Sequence, residues 1–193
     1  MGRVSKQQAG QNRRAALEAS ADLIREKGVE GVGIREVMTS VGLTQGAFAK
    51  QFESKDALLA EACTLAFEGA QRVLDERAET GAYDLAAYYL APKPLAEACP
   101  MATLAMDAAR APQDSAFRAA YEQGLGLLAE TVAGKPVSPD RLVLMAAMVG
   151  ASILRKASRD QTLCAEMETA ILEFSRTLDQ AGGTRPGSGK AVC

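Results

Sequence analysis

The sequence predicts an all-α protein. Its composition, the periodicity of its apolar residues and the helix-ending or capping residues between the periodic stretches all favour that class. Alanine is abundant, aromatic residues make up only 5% of the 193 residues, and Trp is absent. Alanine and leucine favour helices, whereas β-branched and aromatic residues favour strands. Apolar residues recur at helical spacing over most of the chain, and glycine, proline or a capping residue separates one periodic stretch from the next.

Four helices are predicted in the N-terminal part. Gly28 supplies a left-handed stop after the first helix, and Gly42 ends the second. Gly33, at the cap position of the second helix, offers no side-chain acceptor. Thr44 is predicted to cap the third helix and Ser54 the fourth. The predicted bounds are residues 12–27, 34–41, 45–52 and 55 to about 79.

Five further helices are predicted after a break at Gly81. Prolines end the first two of them. Ser138-Pro139-Asp140 starts the fourth, because it combines a capping hydroxyl, a proline at the first position and an acid near the positive helix end. The last residues, GGTRPGSGKAVC, have the composition of a flexible tail. The predicted bounds are 84–91, 99–110, about 115–133, 138 to about 158 and 160 to about 180.

The composition excludes several classes of site. The chain contains no histidine, which rules out Ser-His-Asp and Cys-His catalysis and histidine-ligated metals. Its four cysteines are far apart and form no CxxC pair, so neither a zinc site nor a disulfide framework is indicated. Paired carboxylates and a phosphate-binding loop are also missing from the sequence pattern. We therefore expect no enzymatic activity, no metal and no cofactor.

The chain also shows no membrane signal. No apolar run is long enough to span a bilayer, and the first thirty residues lack the apolar core of a signal peptide. We therefore expect a cytoplasmic protein that does not use a membrane as a partner.

Charge is distributed unevenly along the chain. Residues 1–60 hold nine Lys/Arg against seven Asp/Glu, whereas residues 61–193 hold thirteen against seventeen. A weakly basic N-terminal part on an acidic body suits a nucleic-acid-binding head. A solvated basic tail explains the same charges, and charge alone favours that simpler explanation.

The stretch MTSVGLTQGAFAKQF, residues 38–52, has the pattern of a helix-turn-helix. Gly42 allows the positive φ of a sharp turn. Gly46 and Ala47 are small enough for the third helix to lie close to a DNA groove, and Phe48 and Phe52 are predicted to face the core. An αα-corner used only for packing would show the same features. The residues predicted to face outward, towards bases or backbone, are Thr44, Gln45, Lys50 and Gln51.

A wider pattern extends this stretch in both directions. It consists of Lys27-Gly28, of Ile34 and Val37, of Gly42-Leu43-Thr44-Gln45-Gly46, of Phe52 and of Ser54-Lys55-Asp56-Ala57-Leu58, with unbroken spacing. The pattern resembles the DNA-binding head of the tetracycline-repressor (TetR) family. The resemblance implies a helix-turn-helix that reads DNA as its third helix enters the major groove.

Two positions depart from the family pattern. Gly33 replaces a threonine whose hydroxyl binds a phosphate, and Ala49 replaces a tyrosine or histidine. Both departures remove a contact to the DNA backbone, so either the affinity is lower or basic residues compensate. The residues that could compensate are Lys6, Arg13, Arg14, Arg35 and Lys55. The full set of candidate DNA-contacting residues is Arg14, Gly33, Arg35, Thr44, Gln45, Gly46, Ala47, Ala49, Lys50, Gln51 and Lys55.

The resemblance also implies a C-terminal helical domain that binds a small molecule and dimerises. Residues 88–110, YYLAPKPLAEACPMATLAMDAAR, look like a family subgroup with a Gly-Cys-Pro helix start, although Ala98 stands in place of the glycine. Cys99 precedes Pro100 at a helix N-terminus, where a thiol becomes more reactive, so it is a candidate sensor of electrophiles or oxidants. A partly buried thiol without that role explains the pattern too. The candidate ligand-binding residues are Cys99, Met101, Leu104, Phe117, Tyr121, Met145 and Met148.

The last two helices suit the interface of a homodimer. Small residues permit close approach of helices, and apolar residues supply the surface; a helical hairpin within a monomer would show the same pattern. We expect a dimer, because one short recognition helix reads too little DNA and two-fold partners can read two half-sites. The small residues are Ala146, Ala147, Gly150 and Ala151.

These observations predict a DNA-binding head at residues 1–60, a ligand-binding and dimerisation domain at 61–181 and a flexible tail at 182–193. The expected function is a ligand-responsive transcriptional regulator, more often a repressor in this family, which a small molecule releases from a palindromic operator. The expected partners are double-stranded DNA, a small-molecule effector and a second copy of the chain. The alternative is a helical small-molecule or thiol-redox sensor whose DNA binding is weakened or lost.

Overall fold

The computed structural model describes residues 6–183 of the chain. The described part is helical, and it contains nine α-helices and two short 3₁₀ helices. The helices are α1 (Lys6–Lys27), α2 (Ile34–Ser40), α3 (Lys55–Thr80), α4 (Ala82–Leu90), α5 (Pro100–Thr103), α6 (Ala105–Arg110), α7 (Ala116–Ala133), α8 (Pro139–Ala157) and α9 (Gln161–Gly183); the 3₁₀ helices are Gln45–Lys50 and Leu95–Glu97. The all-α prediction is therefore confirmed.

Most predicted boundaries are confirmed to within one or two residues. Gly28 and Gly42 both have positive φ, at 73° and 72°, as a left-handed stop requires. The Ser54 hydroxyl accepts a hydrogen bond from Ala57 N at 3.0 Å, and the Ser138 hydroxyl accepts one from Arg141 N at 3.4 Å. Local capping chemistry thus decides where these helices begin and end.

Three predicted elements differ from the structure. The first helix begins at Lys6 rather than residue 12. The third predicted helix is a single 3₁₀ stretch, Gln45–Lys50, in which Ala47 N donates to Thr44 O; the Thr44 hydroxyl makes no capping bond. The predicted helix 99–110 is divided at the fully buried Leu104, whose φ of −107° and ψ of −1° separate α5 from α6.

The tail predicted at residues 182–193 is described only in part. Helix α9 continues to Gly183. The remaining residues of that segment lie outside the described part of the chain.

The chain divides into two compact units. The first comprises the chain up to Leu74 together with Pro92–Thr131, and the second comprises Asp75–Ala91 and the chain from Val132 onward. In the first unit, α1 contacts α2, α5 and the 3₁₀ helix Leu95–Glu97. In the second, α4, α8 and α9 pack on one another.

The core of the first unit is built from large apolar side chains that the helical periodicity turns inward. Ile24, Val37, Phe67 and Phe117 are each at most 2% exposed. Burial of such side chains contributes about 1.5–3 kcal/mol each to stability. Val37, on α2, belongs to this core, and α2 contacts both α1 and the 3₁₀ helix Gln45–Lys50.

Candidate functional site

The turn between α2 and the 3₁₀ helix Gln45–Lys50 is closed by backbone hydrogen bonds. Leu43 N donates to Met38 O at 2.8 Å, and Gly42 N donates to Thr39 O at 3.0 Å. These two bonds, with the positive φ of Gly42, form a Schellman motif. The motif satisfies the last carbonyls of α2 and redirects the chain into the 3₁₀ helix, as the glycine at position 42 predicts.

The 3₁₀ helix and the residues that follow it combine buried or half-buried aromatic rings with exposed small and polar residues. Phe52 is buried and Phe48 is half-buried, and their rings stack with centroids 5.7 Å apart. Ala47 and Gln51 are half-buried beside them. The exposed residues are Thr44, Gln45, Gly46, Ala49 and Lys50. The structure therefore leaves most of the candidate base-reading residues exposed to solvent.

Three positive charges belong to this 3₁₀ helix or to the helices before and after it. Arg35 on α2 and Lys50 are exposed, and Lys55 at the start of α3 is half-buried. Within residues 6–183, none of these three side chains forms an ion pair. Such cations can approach an anionic partner without first breaking an internal contact.

Two other cations are already engaged. Arg14, a candidate DNA-contacting residue, pairs with Glu18 on the same exposed face of α1 at 2.8 Å. Lys27 pairs with Glu36, which joins the end of α1 to α2. The pair between Arg14 and Glu18 is weak, because both side chains are more than half exposed.

Gly33 occupies the N-cap position of α2 in an ordinary extended conformation. Its φ of −99° and ψ of 136° suit any residue, and no neighbouring atom lies within 4 Å of the place where a Cβ would stand. The site therefore does not require glycine. A hydroxyl-bearing residue would fit there without rearrangement.

Four of the candidate ligand-binding residues lie in the core of the first unit. Met101, Leu104, Phe117 and Tyr121 are all buried, and Cys99 is half-buried. The Tyr121 hydroxyl donates to Met101 O at 3.0 Å. Burial, reinforced by the neighbouring Cys99 and Cys63 thiols, raises the pKa of Tyr121 to about 12. Tyr121 is therefore a neutral hydrogen-bond donor at physiological pH.

The remaining two candidates belong to the second unit. Met148 is fully buried on α8 and Met145 is half-buried on the same helix. The seven candidates are therefore distributed over two compact units rather than gathered on one set of helices.

The geometry around Cys99 weakens one reason for expecting it to be reactive. The helix that follows it, α5, has only four residues, so its dipole is that of a single turn. Burial raises the pKa of the Cys63 thiol to about 12. Cys63, Cys99 and Cys164, the cysteines within the described part, form no disulfide.

Two aspartates, which the sequence patterns did not single out for contacts, join the helix-turn-helix part to α6 and α7. Asp107 on α6 accepts a hydrogen bond from Val29 N, after α1, at 3.1 Å. Asp56, in the first turn of α3, accepts from Ser115 Oγ at 3.0 Å and from Ala116 N at 2.9 Å. A cleft of about 400 Å³ lies between these contacts. Contacts between residues so far apart in the chain leave no local sequence signal.

The second unit is tied together by charged side chains and leaves apolar residues exposed. Asp179 on α9 accepts from Ala82 N at 2.7 Å and Tyr83 N at 2.9 Å, which explains why α4 begins two residues earlier than predicted. Arg155 on α8 donates to Leu90 O and pairs with Glu168 on α9 at 3.0 Å. The large apolar residues left exposed on α8 and α9 are Leu142, Val143, Leu154 and Leu163.

Membrane-spanning helices and metal-binding clusters are both absent from the described residues. No helix of the described residues is long and apolar enough to cross a membrane. Among the same residues, no group of three or more His, Cys, Asp or Glu side chains could hold a metal ion.

Comparison with known proteins relates the chain to one group of regulators. Residues 16–62 match the model of the bacterial regulatory proteins of the tetR family. No curated protein matches the chain in sequence.

Several solved structures share the fold. Reduced NemR of E. coli is 19% identical, with a TM-score of 0.66, over 83% of this chain and 95% of that one. A TetR-family transcriptional regulator from Cytophaga hutchinsonii is 16% identical, with a TM-score of 0.67, over 91% and 98%. A TetR transcriptional regulator from Chloroflexus aurantiacus is 22% identical, with a TM-score of 0.67, over 87% and 96%. At these identities the likeness shows a common fold.

Proposed function

We propose that the protein is a transcriptional regulator of the TetR type that a small molecule releases from a palindromic operator, because residues 16–62 match the model of the tetR family of bacterial regulatory proteins. The observation that carries the proposal is that most residues of the 3₁₀ helix Gln45–Lys50 are exposed, and that Lys50 within it, Arg35 on α2 and Lys55 at the start of α3 have no ion-pair partner among the described residues. A surface of this kind, placed just after a Schellman turn, suits the major groove of DNA.

The DNA-reading residues divide into two roles. Thr44, Gln45 and Gln51 present hydroxyl and amide groups that can bind base edges or phosphates, and the small Gly46 and Ala47 let the backbone approach the groove floor. Ala49 adds no side-chain contact. The residues that supply sequence-independent attraction to phosphates are Arg14, Arg35, Lys50 and Lys55.

A homodimer would place two such heads on one operator. The exposed apolar residues of α8 and α9, together with half-buried Gly150, support an interface through these two helices. Dimeric helix-turn-helix proteins read half-sites about 34–36 Å apart, or multiples of one helical turn. The protein would act in the cytoplasm, where the operator is.

The effector would bind among the buried residues of the first unit. Phe117 and Tyr121 on α7, with Met101 and Leu104, offer an apolar environment with one hydroxyl, whose proton is donated to Met101 O and whose oxygen can accept a hydrogen bond from a ligand. Phe117 N also lies 3.4 Å from the Asp56 carboxylate, at the start of α3. A ligand that displaces the start of α7 therefore has a direct contact through which to shift the head.

The function can be tested by selecting bound fragments from sheared genomic DNA with the purified protein at near-physiological salt. Enrichment of a palindrome with half-sites about one helical turn apart would support the proposal. Recovery of DNA with no common sequence would contradict it. That result would favour the alternative, a small-molecule or thiol sensor with weakened DNA binding, which the missing side chains at Gly33 and Ala49 already favour.

Substituting Gly33 by threonine is expected to strengthen both the fold and DNA binding. The hydroxyl can cap α2 and reach a phosphate, and the loss of a glycine reduces the entropy of the unfolded chain. We expect the free energy of unfolding to rise by about 0.5–1 kcal/mol. The affinity for the selected operator should rise about threefold to tenfold, the effect of one added hydrogen bond.

The matched control is Gly33→Val, which has the shape of threonine without its hydroxyl. Urea unfolding and fluorescence anisotropy with the operator would measure both effects. An operator affinity that rises equally for the valine and threonine variants would show that the hydroxyl makes no contact with phosphate.

Substituting Asp56 by alanine is expected to loosen the start of α7. The carboxylate caps two backbone N–H groups and the Ser115 hydroxyl there, so its loss should lower the free energy of unfolding by about 0.5–2 kcal/mol. Amide hydrogen exchange at Ala116 and Phe117 should accelerate.

Asp114 provides the control for this prediction. It is exposed in the connection that precedes α7, so Asp114→Ala should change the free energy of unfolding by no more than about 0.5 kcal/mol. Unchanged exchange at Ala116 and Phe117 in the Asp56 variant would show that the carboxylate does not hold α7.

A further inference from the structure

Arg13 on α1 makes three contacts that meet at the end of the 3₁₀ helix Gln45–Lys50. Its Nε donates to Gln51 O at 3.2 Å. Its Nη2 donates to both carboxylate oxygens of Glu61 on α3, at 2.8 and 2.7 Å. Its guanidinium carbon lies 4.8 Å from the centroid of the Phe52 ring. One side chain therefore joins α1, α3 and the residues that end the 3₁₀ helix.

This position matters because a 3₁₀ helix of only two turns has little stability of its own. Gln51 N donates to Phe48 O and so closes the last turn of the 3₁₀ helix. Arg13 binds the carbonyl oxygen of this same residue, Gln51. The ring of Phe52, below the guanidinium, stacks on that of Phe48. Arg13 thus holds the C-terminal end of the 3₁₀ helix Gln45–Lys50, whose residues are mostly exposed.

Glu61 in turn holds Arg13 in place. Glu61 accepts from one guanidinium nitrogen, Nη2, and Gln51 O accepts from another, Nε, so two separate nitrogens fix the plane of the guanidinium, which a single-point contact does not achieve. Both side chains are partly exposed, at 39% and 42%, so the ion pair itself adds little stability. The ion pair orients the Arg13 side chain rather than adding to the stability of the fold.

We propose that Arg13 is a positioning residue for DNA recognition and that Glu61 orients it. The proposal rests on the proposed function. It also revises the expectation that Arg13 compensates for missing contacts by binding a phosphate, because its Nε and Nη2 donors are directed at Gln51 and Glu61 within the protein. Arg13 acts through the 3₁₀ helix, by setting the angle at which Gln45 and Lys50 are presented.

The direction in which Glu61→Gln changes the affinity for DNA tests the proposal. Removing a negative charge from a DNA-binding head should raise its affinity for DNA, if charge alone matters. A positioning role for Arg13 predicts that the affinity falls instead. Because Arg13 loses its orienting partner, the affinity for the selected operator should fall by about tenfold, the effect of removing one charge-assisted hydrogen bond.

Glu68→Gln is the matched control. Glu68 lies on α3 two turns beyond Glu61, lines the same shallow groove on the surface and is exposed, so the variant removes the same charge without touching Arg13. Its operator affinity should stay unchanged or rise slightly.

Arg13→Lys separates positioning from charge in a variant that keeps the positive charge. Lysine cannot bind Gln51 O and both oxygens of Glu61 at once, so operator affinity should fall about tenfold, as in Glu61→Gln. The slope of log K against log salt should stay the same, whereas removal of a phosphate-binding cation would reduce it by about 1.

The ratio of operator binding to non-specific DNA binding distinguishes positioning from a loss of folded protein. A smaller folded fraction lowers both affinities equally and leaves the ratio unchanged, whereas misplaced base-reading side chains lower the ratio. We expect a ratio about tenfold lower in Glu61→Gln and Arg13→Lys, measured below the onset of thermal unfolding. An unchanged ratio, or a rise in operator affinity in Glu61→Gln, would overturn the proposal. Failure of the parent protein to select any operator would instead refute the proposed function.

Discussion

Gly124→Ala is expected to lower the free energy of unfolding by about 1–3 kcal/mol, the usual cost of overpacking a core. A Cβ at position 124 would stand 2.2 Å from Phe67 Cγ, far inside van der Waals contact. Phe67 is 2% exposed and packs edge-on against Tyr121, with ring centroids 5.5 Å apart. The ring therefore cannot move aside without disturbing the core in which the candidate effector residues lie.

Gly126→Ala provides an unusually close control, because Gly126 lies on the same helix two residues later. No atom lies within 4 Å of its Cβ position. There the higher helix propensity of alanine should act alone and stabilise the protein by up to about 1 kcal/mol. Urea unfolding followed by far-UV circular dichroism measures both variants. Effects of the same sign in the two variants would contradict this account of α7.

A double variant tests whether contact with Phe67 causes the loss of stability expected in Gly124→Ala. Phe67→Leu removes ring atoms, so it should cost stability alone but create space for the new methyl group. Combining it with Gly124→Ala should therefore cost less than the sum of the two single changes. Strict additivity would show that the alanine clashes with something else.

Neutralising Arg35, Lys50 and Lys55 together is expected to have the largest effect on DNA binding. One of these cations lies in the 3₁₀ helix and the others on the helices before and after it, and they have no ion-pair partner among residues 6–183, so all their attraction is available to phosphates. Changing each to glutamine should lower operator affinity by about tenfold or more for each phosphate that the head no longer binds. The salt slope should fall by about 1 for each such phosphate.

The control removes the same number of charges elsewhere. Arg72, Arg110 and Arg159 are exposed, and none belongs to the helix-turn-helix segment. Their triple glutamine variant should keep most of the operator affinity and the salt slope. Anisotropy titrations at several salt concentrations measure both quantities. An equal loss of affinity in the two triple variants would show that net charge, rather than this surface, determines DNA binding.

Several features of the fold were predictable from the sequence because they depend on local chemistry. Gly28 and Gly42 adopt the positive φ that their positions require, and Ser54 and Ser138 cap the helices they precede. A cap or a turn involves residues within a few positions of one another, so a short stretch of sequence contains the whole interaction.

Other features were not predictable, since their cause lies elsewhere in the chain. Nothing near Gly124 indicates the Phe67 ring. Asp107 was assigned no role from the sequence, yet it accepts a hydrogen bond from Val29 N. The sequence patterns likewise placed Arg13 among the possible phosphate ligands, whereas the structure directs it to Gln51 and Glu61.

By itself, the sequence determined the helical class, the glycine turn and the residues that belong to the helix-turn-helix, because periodicity, propensity and capping act over a few residues. Only the tertiary structure decided which charges are free to meet DNA, which are used internally and which aspartates join the head to α6 and α7. Those outcomes depend on side chains brought together from distant segments, and packing, rather than local spacing, determines which of them meet.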